Sequence, residues 1–361
     1  MDGGAPASGA RAAMTPMAAV VEPRGACGAG VEFVVPPDLE AHEPPEARGL
    51  RRDQVRLMVT DRRADTIVHA RFADLPDFLR PGDLVVVNTS ATLPAALIAT
   101  RADGRTISVH ISTRLPGGLW VVEPRQAQVS RSEVLSLPGG GEATLLVPYR
   151  RSGRLWIAHL DLPAPFVEYL GRWGRPISYP YVRGQWPLEM YQTVYADEPG
   201  SAEMPSAGRA FTAEVLGRIR DRGVGLARLI LHTGVASLER NEPPYEEYYA
   251  VSHEAAEAVA RARSAGGRII AVGTTVVRAL ESSLDERGRP VASRGWTDLV
   301  ITPERGVHII DGLLTGFHEP RASHLAMIQA IAGRAHLERA YRTALESRYF
   351  WHEFGDLHLI L

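Results

Sequence analysis

The stretch Gly267-Arg268-Ile269-Ile270-Ala271-Val272-Gly273-Thr274-Thr275-Val276-Val277-Arg278-Ala279-Leu280-Glu281-Ser282 decides the fold class. After the Gly-Gly break, residues 269–272 form an apolar run of strand length. Gly273 permits a tight turn, and Thr274 or Thr275 is expected to cap a helix that follows at once. The free N–H groups of such a helix start attract a carboxylate or phosphate. Arg278 and Glu281 stand three residues apart and so share one helical face. The same pattern also occurs at purely structural strand-to-helix joints. There the two side chains would form a solvated pair worth about 0.2–0.5 kcal/mol.

Working outward, helix and strand signals alternate after about residue 190. Thr212 can cap a helix ended by Gly223, and Ser252 one closed by Gly266-Gly267. Strands are expected over 227–232, 299–302, 307–310 and 357–361, and helices over 322–331 and 335–347. Toward the N-terminus, residues 31–37 read as a first ordered segment. Val55, Leu57 and Val59 alternate as in a strand, and residues 84–88 read as a fully buried one. Residues 94–163 differ in character, with short alternating runs set off by Asp103-Gly104, Pro116-Gly117-Gly118 and Gly139-Gly140-Gly141. Such spacing suggests a small antiparallel barrel or sandwich. The expected architecture is an α/β body, barrel-like, over 31–93 and 164–361, with an inserted small antiparallel β-barrel domain over 94–163. Residues 1–30, rich in Ala, Gly and Pro, read as a disordered N-terminal extension.

Composition narrows the chemistry. The 361 residues carry a net charge of -2, so no global basic field draws nucleic acid. Lysine is absent, and all 40 basic residues are arginine, which excludes Schiff-base chemistry. Cys27 is the only cysteine, so intramolecular disulfides and thiolate zinc sites are excluded. No apolar run has the length of a membrane span, and no secretion signal is read, so a cytoplasmic protein is expected. No His-Glu-x-x-His, Gly-rich dinucleotide fingerprint or Gly-x-Ser-x-Gly elbow occurs. Metal binding and NAD or serine-hydrolase chemistry are disfavoured accordingly.

Polar and glycine residues recur where strands are expected to end, which is where open α/β sheets place their sites. These are Asn88-Thr89-Ser90, Tyr191-Gln192-Thr193, Ser206-Ala207-Gly208, His232-Thr233-Gly234, Thr315-Gly316-Phe317-His318 and Gly355-Asp356. Each has a structural alternative, such as a core tyrosine, a satisfied histidine or a simple turn. Their recurrence favours a shared cleft.

Together these segments resemble the S-adenosylmethionine:tRNA ribosyltransferase-isomerase family of queuosine biosynthesis, over about residues 31–361. The likeness is strongest in Tyr191-Gln192-Thr193-Val194-Tyr195-Ala196 and in Ala271-Val272-Gly273-Thr274-Thr275 with Arg278, Leu280, Glu281 and Ser282. The resemblance implies an α/β body carrying a β-barrel insertion. It also implies a reaction in which the ribosyl part of S-adenosylmethionine moves onto the aminomethyl group of a 7-deazaguanine in a tRNA anticodon. The product is epoxyqueuosine, and adenine and methionine leave. S-adenosylmethionine is then a substrate, with no metal or bound cofactor, and tRNA is the implied partner. The sulfonium acidifies a neighbouring sugar C–H, so a positioned base is needed, and His232, His318 and Asp356 are the unranked candidates. Gly273, Thr274, Thr275 and Arg278 are expected to hold an anionic group of the donor. Asn88, Thr89, Tyr191, Gln192, Thr193, Ser206, Ala207, Gly208, Gly234 and Glu281 complete the expected substrate contacts.

This chain departs from the family pattern at several of these segments. Ala210 stands where the family has a histidine, and Arg209 where it has an apolar residue. Residues 242–247 lack two family histidines, and Ala236-Ser237-Leu238 and Glu319 are further changes. A diverged relative using a small acceptor, or a binding protein without catalysis, are the alternatives these departures raise.

Overall fold

The computed structural model describes residues 31–150, 152–235, 245–320 and 323–361, so the expected extension over 1–30 lies outside the described residues. Strands β1 (Arg56–Asp61) and β2 (Thr66–Arg71) form a hairpin, followed by β3 (Leu84–Asn88) and the short β4 (Ser90–Thr92). Next come β5 (Ala96–Thr100), β6 (Thr106–Arg114), β7 (Leu119–Pro124), β8 (Val134–Leu137), β9 (Gly141–Pro148) and β10 (Trp156–Asp161). These close into an antiparallel barrel in the order β10-β7-β6-β5-β8-β9. Ala99, Val109, Ile111, Val122, Leu135, Leu145 and Ala158 fill its interior. Closure leaves no strand edge free for pairing.

The chain returns to the body through α1 (Phe166–Trp173) and β11 (Glu198–Ser201), which pairs in parallel with β4. Then follow α2 (Ala213–Asp221), β12 (Gly225–Leu231), β13 (Glu247–Val251), α3 (His253–Ser264), β14 (Ile269–Val272) and α4 (Thr274–Ser282). The last elements are β15 (Ser293–Thr297), β16 (Gly312–Gly316), α5 (Ser323–Ala332), α6 (Arg334–Glu346) and β17 (Leu357–Ile360). The body is a nine-stranded mixed sheet in the order β15-β13-β12-β3-β14-β16-β17-β1-β2. It is open, with β15 and β2 as edges, in place of the barrel-like closure expected of the body. The solvent-facing β2 explains why: most of its residues are exposed, so it has no apolar face to bury against another strand.

Alternation along the central strands builds two cores. Leu84 and Val86 of β3, with Ile269 and Ala271 of β14, pack toward α3, α4, α5 and α6. Val85 and Val87, with Ile270 and Val272, pack on the other face with Phe72, Phe211 and Val215. A strand buried on both faces must be apolar at every position, as 84–87 and 269–272 are. Each such Val or Ile stabilises the fold by about 1.5–3 kcal/mol. The helix starts expected at Thr212 and Ser252 are present. Their hydroxyls accept from the amides of Val215 at 3.2 Å and Ala255 at 3.1 Å.

Two expectations fail for stated reasons. Residues 299–302 and 307–310 are loops, because side chains satisfy their backbone in place of a ladder. Arg278 donates to the carbonyl of Leu299, and Glu281 accepts from the amides of His308 and Ile309 at 2.6 and 3.0 Å. The cap of α4 is Gly273 and not a threonine.

Candidate active site

Four adjacent strands of the body, β12, β3, β14 and β16, run parallel. Their C-terminal ends therefore share one edge of the sheet. That edge carries His232 after β12, Asn88 and Ser90 at β3, Gly273 after β14, and Thr315 and His318 at β16. β17 runs antiparallel to β16, with Gly316 opposite Leu357, so Asp356 reaches the same edge. Open α/β sheets bind ligands at this position. The loop after β12 also meets the barrel here. Val235 donates to the Ser112 hydroxyl at 2.9 Å, and a Cβ on Gly234 would lie 2.9 Å from the same oxygen. The edge thus has the barrel as one wall.

Gly273 has φ +90°, in the region that disfavours side chains, and a Cβ there would lie 3.4 Å from that of Ala207. This close approach explains the Ser206-Ala207-Gly208 turn: small residues let it lie against the start of α4. The amides of Val276 and Val277 both turn back to the Gly273 carbonyl. Those of Thr274 and Thr275 come before the first intrahelical acceptor, so they face the edge as donors.

His232 is the best-placed base. Its Nδ1 bonds the Ser90 hydroxyl at 2.7 Å, Ser90 bonds Ser201 at 2.6 Å, and Ser201 accepts from the Thr233 amide at 3.0 Å. The ring lies between Tyr248, with centroids 5.7 Å apart, and Gly200, where any Cβ would strike the imidazole. Nε2 has no partner among the described residues. Burial lowers the pKa of the ring, which keeps it a neutral imidazole. This is the arrangement a general base needs: one nitrogen held and one open.

From His232 a chain of contacts runs around the strand ends. The Thr233 hydroxyl donates to the Glu203 carbonyl at 2.5 Å, and Glu203 accepts from the Tyr179 hydroxyl. Tyr179 stacks on Tyr181, and Tyr181 stacks on His352 with centroids 3.9 Å apart. The Tyr181 hydroxyl donates to Glu353 at 2.5 Å. His318 bonds Thr315 at 2.8 Å and stacks on His324, 4.8 Å away. Burial, then the charges of His324 and His352, pushes His318 well below the usual histidine range. Burial, then the nearby Arg278, takes His324 to about 4. Arg278 pairs with Glu247, whose other oxygen accepts from the Gly234 amide at 2.9 Å.

The expected residues divide sharply. His232, Gly234, Ser206, Ala207, Gly208, Gly273, Thr274, Thr275 and His318 all come to the edge. Arg278 comes too, but its guanidinium is buried. It donates to Glu247 and to the carbonyls of Leu299 and Thr297. It is therefore occupied by the protein and not open to a donor carboxylate. Glu281 likewise binds Arg305, His308 and Ile309. Burial favours its neutral form, but those hydrogen bonds outweigh it and hold its pKa low. Asn88 clamps both backbone groups of Leu231, at 2.8 and 3.0 Å. Asp356 accepts from the amides of Arg56 and Phe350, both at 2.7 Å, so its two oxygens tie β1 to the chain before β17. That leaves it a bracket and not a base, and burial raises its pKa.

Three further residues support the edge from behind, and a fourth does not. Gln192 grips the amide and carbonyl of Thr92 at 3.0 and 2.7 Å. Tyr191 is core, packed on Phe354, and Thr193 is buried beside Gly208. Thr89 lines a different groove with Asp197, Arg228 and Arg294. Tyr179, Tyr181 and Glu203 were not singled out from sequence, and Glu247, His324, His352 and Glu353 were not counted among the expected site residues. The histidine and glutamate after Trp351 offered the one local signal.

Two of the departures from the family pattern, at Arg209 and at residues 245–246, have structural explanations. Arg209 is buried, donates to Glu46 and the Met190 carbonyl at 2.7 Å each, and covers the Phe354 ring at 5.2 Å. Tyr245 and Glu246 dock on the barrel, where Glu246 accepts from the Tyr149 hydroxyl at 2.6 Å. Residues 236–238 and 242–244 lie outside the described residues.

Comparison with known proteins agrees with this geometry. Residues 29–360 match the family model described as queuosine biosynthesis protein. A relative from Carboxydothermus hydrogenoformans, named S-adenosylmethionine:tRNA ribosyltransferase-isomerase, is 38% identical over 91% of this chain and 98% of its own. One of the same name from Thermus thermophilus is 37% identical over the same shares. The crystal structure of S-adenosylmethionine tRNA ribosyltransferase from Thermotoga maritima superposes with a TM-score of 0.53. It is 31% identical and covers 92% of this chain and 99% of its own. A match of that length, carried through body and barrel alike, means that the chain belongs to the queuosine biosynthesis protein family.

Proposed function

We propose that this protein transfers and isomerises the ribosyl part of S-adenosylmethionine onto 7-aminomethyl-7-deazaguanine in tRNA, giving epoxyqueuosine with release of adenine and methionine. The single observation that carries the reading is the near-complete alignment, 98% of the length, with relatives named for that activity. Neither a small-molecule acceptor nor a catalytically silent protein has comparable support. The site residues fit the chemistry in stated roles. His232 takes the sugar proton acidified by the sulfonium, its ring oriented by Ser90. The amides of Thr274 and Thr275 hold the methionine carboxylate at the start of α4. His318, neutral and fixed by Thr315, meets the departing adenine as a hydrogen-bond donor. Arg278 and Glu247 act as positioning residues that fix the Gly234 loop.

On the same reading the barrel is a separate inserted domain over 94–163, and the enzyme works in the cytoplasm without a bound cofactor. Among the described residues no helix is long and apolar enough to cross a membrane, and no cluster of metal-ligating side chains occurs. The test is incubation of the purified protein with S-adenosylmethionine and an anticodon stem-loop carrying the 7-aminomethyl-7-deazaguanine. Nucleoside mass spectrometry should detect epoxyqueuosine with equimolar adenine. Adenine release without a modified nucleoside would overturn the tRNA acceptor, and no reaction at all would overturn the activity.

A further inference from the structure

Glu353 is a carboxylate that the fold leaves without a paired cation. One oxygen accepts from the Tyr181 hydroxyl at 2.5 Å, its own backbone amide adds a second contact, and no arginine or histidine pairs with it among the described residues. It shares a crevice with Ser206 and Gly355, next to the small-residue turn packed on Gly273. Charged and titratable groups surround it on every side, yet none neutralises it. Arg209 and Arg52 line the same crevice, but both are paired with Glu46. Tyr179, Tyr181 and Tyr191 stand near it as neutral phenols: burial opposes the ionisation of all three first, and the next charge to oppose it is that of Glu353 for Tyr181 and of Glu203 for Tyr179. His352, stacked on Tyr181, is also held toward its neutral form by burial. Glu319 adds negative charge on the same rim. A carboxylate so placed calls for a cation with N–H donors.

This deduction rests on the function proposed above, whose substrates bring two cations to the cleft. The sulfonium of the donor has no proton to give in a hydrogen bond. The protonated aminomethyl group of the acceptor base has three. We propose that Glu353 binds the acceptor's ammonium and removes one of its protons, while Tyr181 holds the carboxylate in place. In that step an N–H bond breaks and an O–H bond forms on a Glu353 oxygen. The nitrogen lone pair is released to form the C–N bond to the donor's sugar, and the bonds that sugar gives up are those to the departing adenine and methionine. Burial sets Glu353 to about 7, which suits a base working near neutral pH. The assignment separates two proton acceptors at the edge, His232 for the donor sugar and Glu353 for the acceptor amine.

The test measures kcat/KM for the 7-aminomethyl-7-deazaguanine stem-loop from pH 5.5 to 9, with S-adenosylmethionine saturating (bounds of about this width bracket a pKa near 7). In the wild-type protein the rate should rise through about pH 7 and then level. Glu353→Gln should lower it by about 10²–10⁴-fold and abolish that rise, with S-adenosylmethionine affinity by calorimetry kept within about twofold. Tyr181→Phe removes the donor that favours the carboxylate and should move the rise to higher pH. Glu353→Gln with a wild-type rate and an unchanged rise, or Tyr181→Phe with no displacement, overturns the assignment. A wild-type protein that makes no epoxyqueuosine overturns the activity itself, and the role of Glu353 falls with it.

Discussion

The barrel and the sheet edge each bury a glutamate, and they treat it in opposite ways. Glu123 of β7, inside the barrel region, is met by Arg154 at 2.9 Å, Arg125 at 3.2 Å and His110 at 3.5 Å. Burial works against its charge, but the contact with His110 and the charges of Arg154 and Arg125 together outweigh it and hold its pKa low. Glu353 at the sheet edge meets a phenol and no paired cation, and burial raises its pKa to about 7. The first site meets its charge with the protein's own arginines, although its Oε2 accepts no hydrogen bond among the described residues. The second leaves a demand that a substrate can meet. The same division runs through the edge itself. Asn88, Arg278, Glu281 and Asp356 have their polar atoms occupied by protein, while His232 keeps one nitrogen open and Glu353 has no paired cation.

His232→Gln tests the open side with the largest expected effect. Glutamine can keep the bond to Ser90 but cannot take a proton, so turnover should fall by about 10²–10⁴-fold. Urea unfolding should change little. Stopped-flow adenine release measures the first quantity, and wild-type release would remove His232 from the proposed mechanism.

Arg278→Met tests the closed side. It leaves Glu247 without its cation, and a broken buried pair costs about 3–5 kcal/mol. Pairing it with Glu247→Leu should restore most of that stability, since the stranded charge is then gone. If the single variant unfolds at the wild-type urea midpoint, the guanidinium is not structural and the original expectation of a substrate clamp returns. Glu123→Gln in the barrel should cost less, about 1–3 kcal/mol, because Arg125 and Arg154 can turn toward solvent. Turnover per folded molecule should stay near wild type. A loss of turnover there would mean that the barrel's charge cluster reaches the chemistry.

The contrast also explains what could be read from sequence. Strands 84–88 and 269–272 were legible because burial on both faces forces every residue to be apolar. Thr212 and Ser252 were legible because capping is local. Arg278 and Glu281 were found, but their roles were not. Whether a guanidinium faces a ligand or Glu247 depends on a loop 31 residues away. Tyr179, Tyr181 and Glu353 were missed for the same reason. Their alignment spans 172 residues of chain between Tyr181 and Glu353, and no periodicity encodes it. The false strands at 299–302 and 307–310 were apolar enough, but side chains of α4 had already claimed their backbone groups.

The smallest effect separates stability from catalysis by pH. His358 is fully buried, its Nε2 bonded to the Thr60 hydroxyl at 2.9 Å, and burial lowers its pKa to about 3. The unfolded chain would protonate the same ring near the ordinary histidine value of about 6.5. Below that value the unfolded state binds the extra proton, so stability falls as pH falls. Above it the contribution is complete. Between pH 7 and 6 one such group accounts for a loss of about 0.7 kcal/mol. His358→Gln should remove that share of the slope in urea unfolding and leave the rise in turnover near pH 7 untouched, because Glu353 governs the latter. Were His358→Gln to shift the turnover profile instead, the closed network around β17 and the open edge would be one titrating unit, and the distinction between them would not hold.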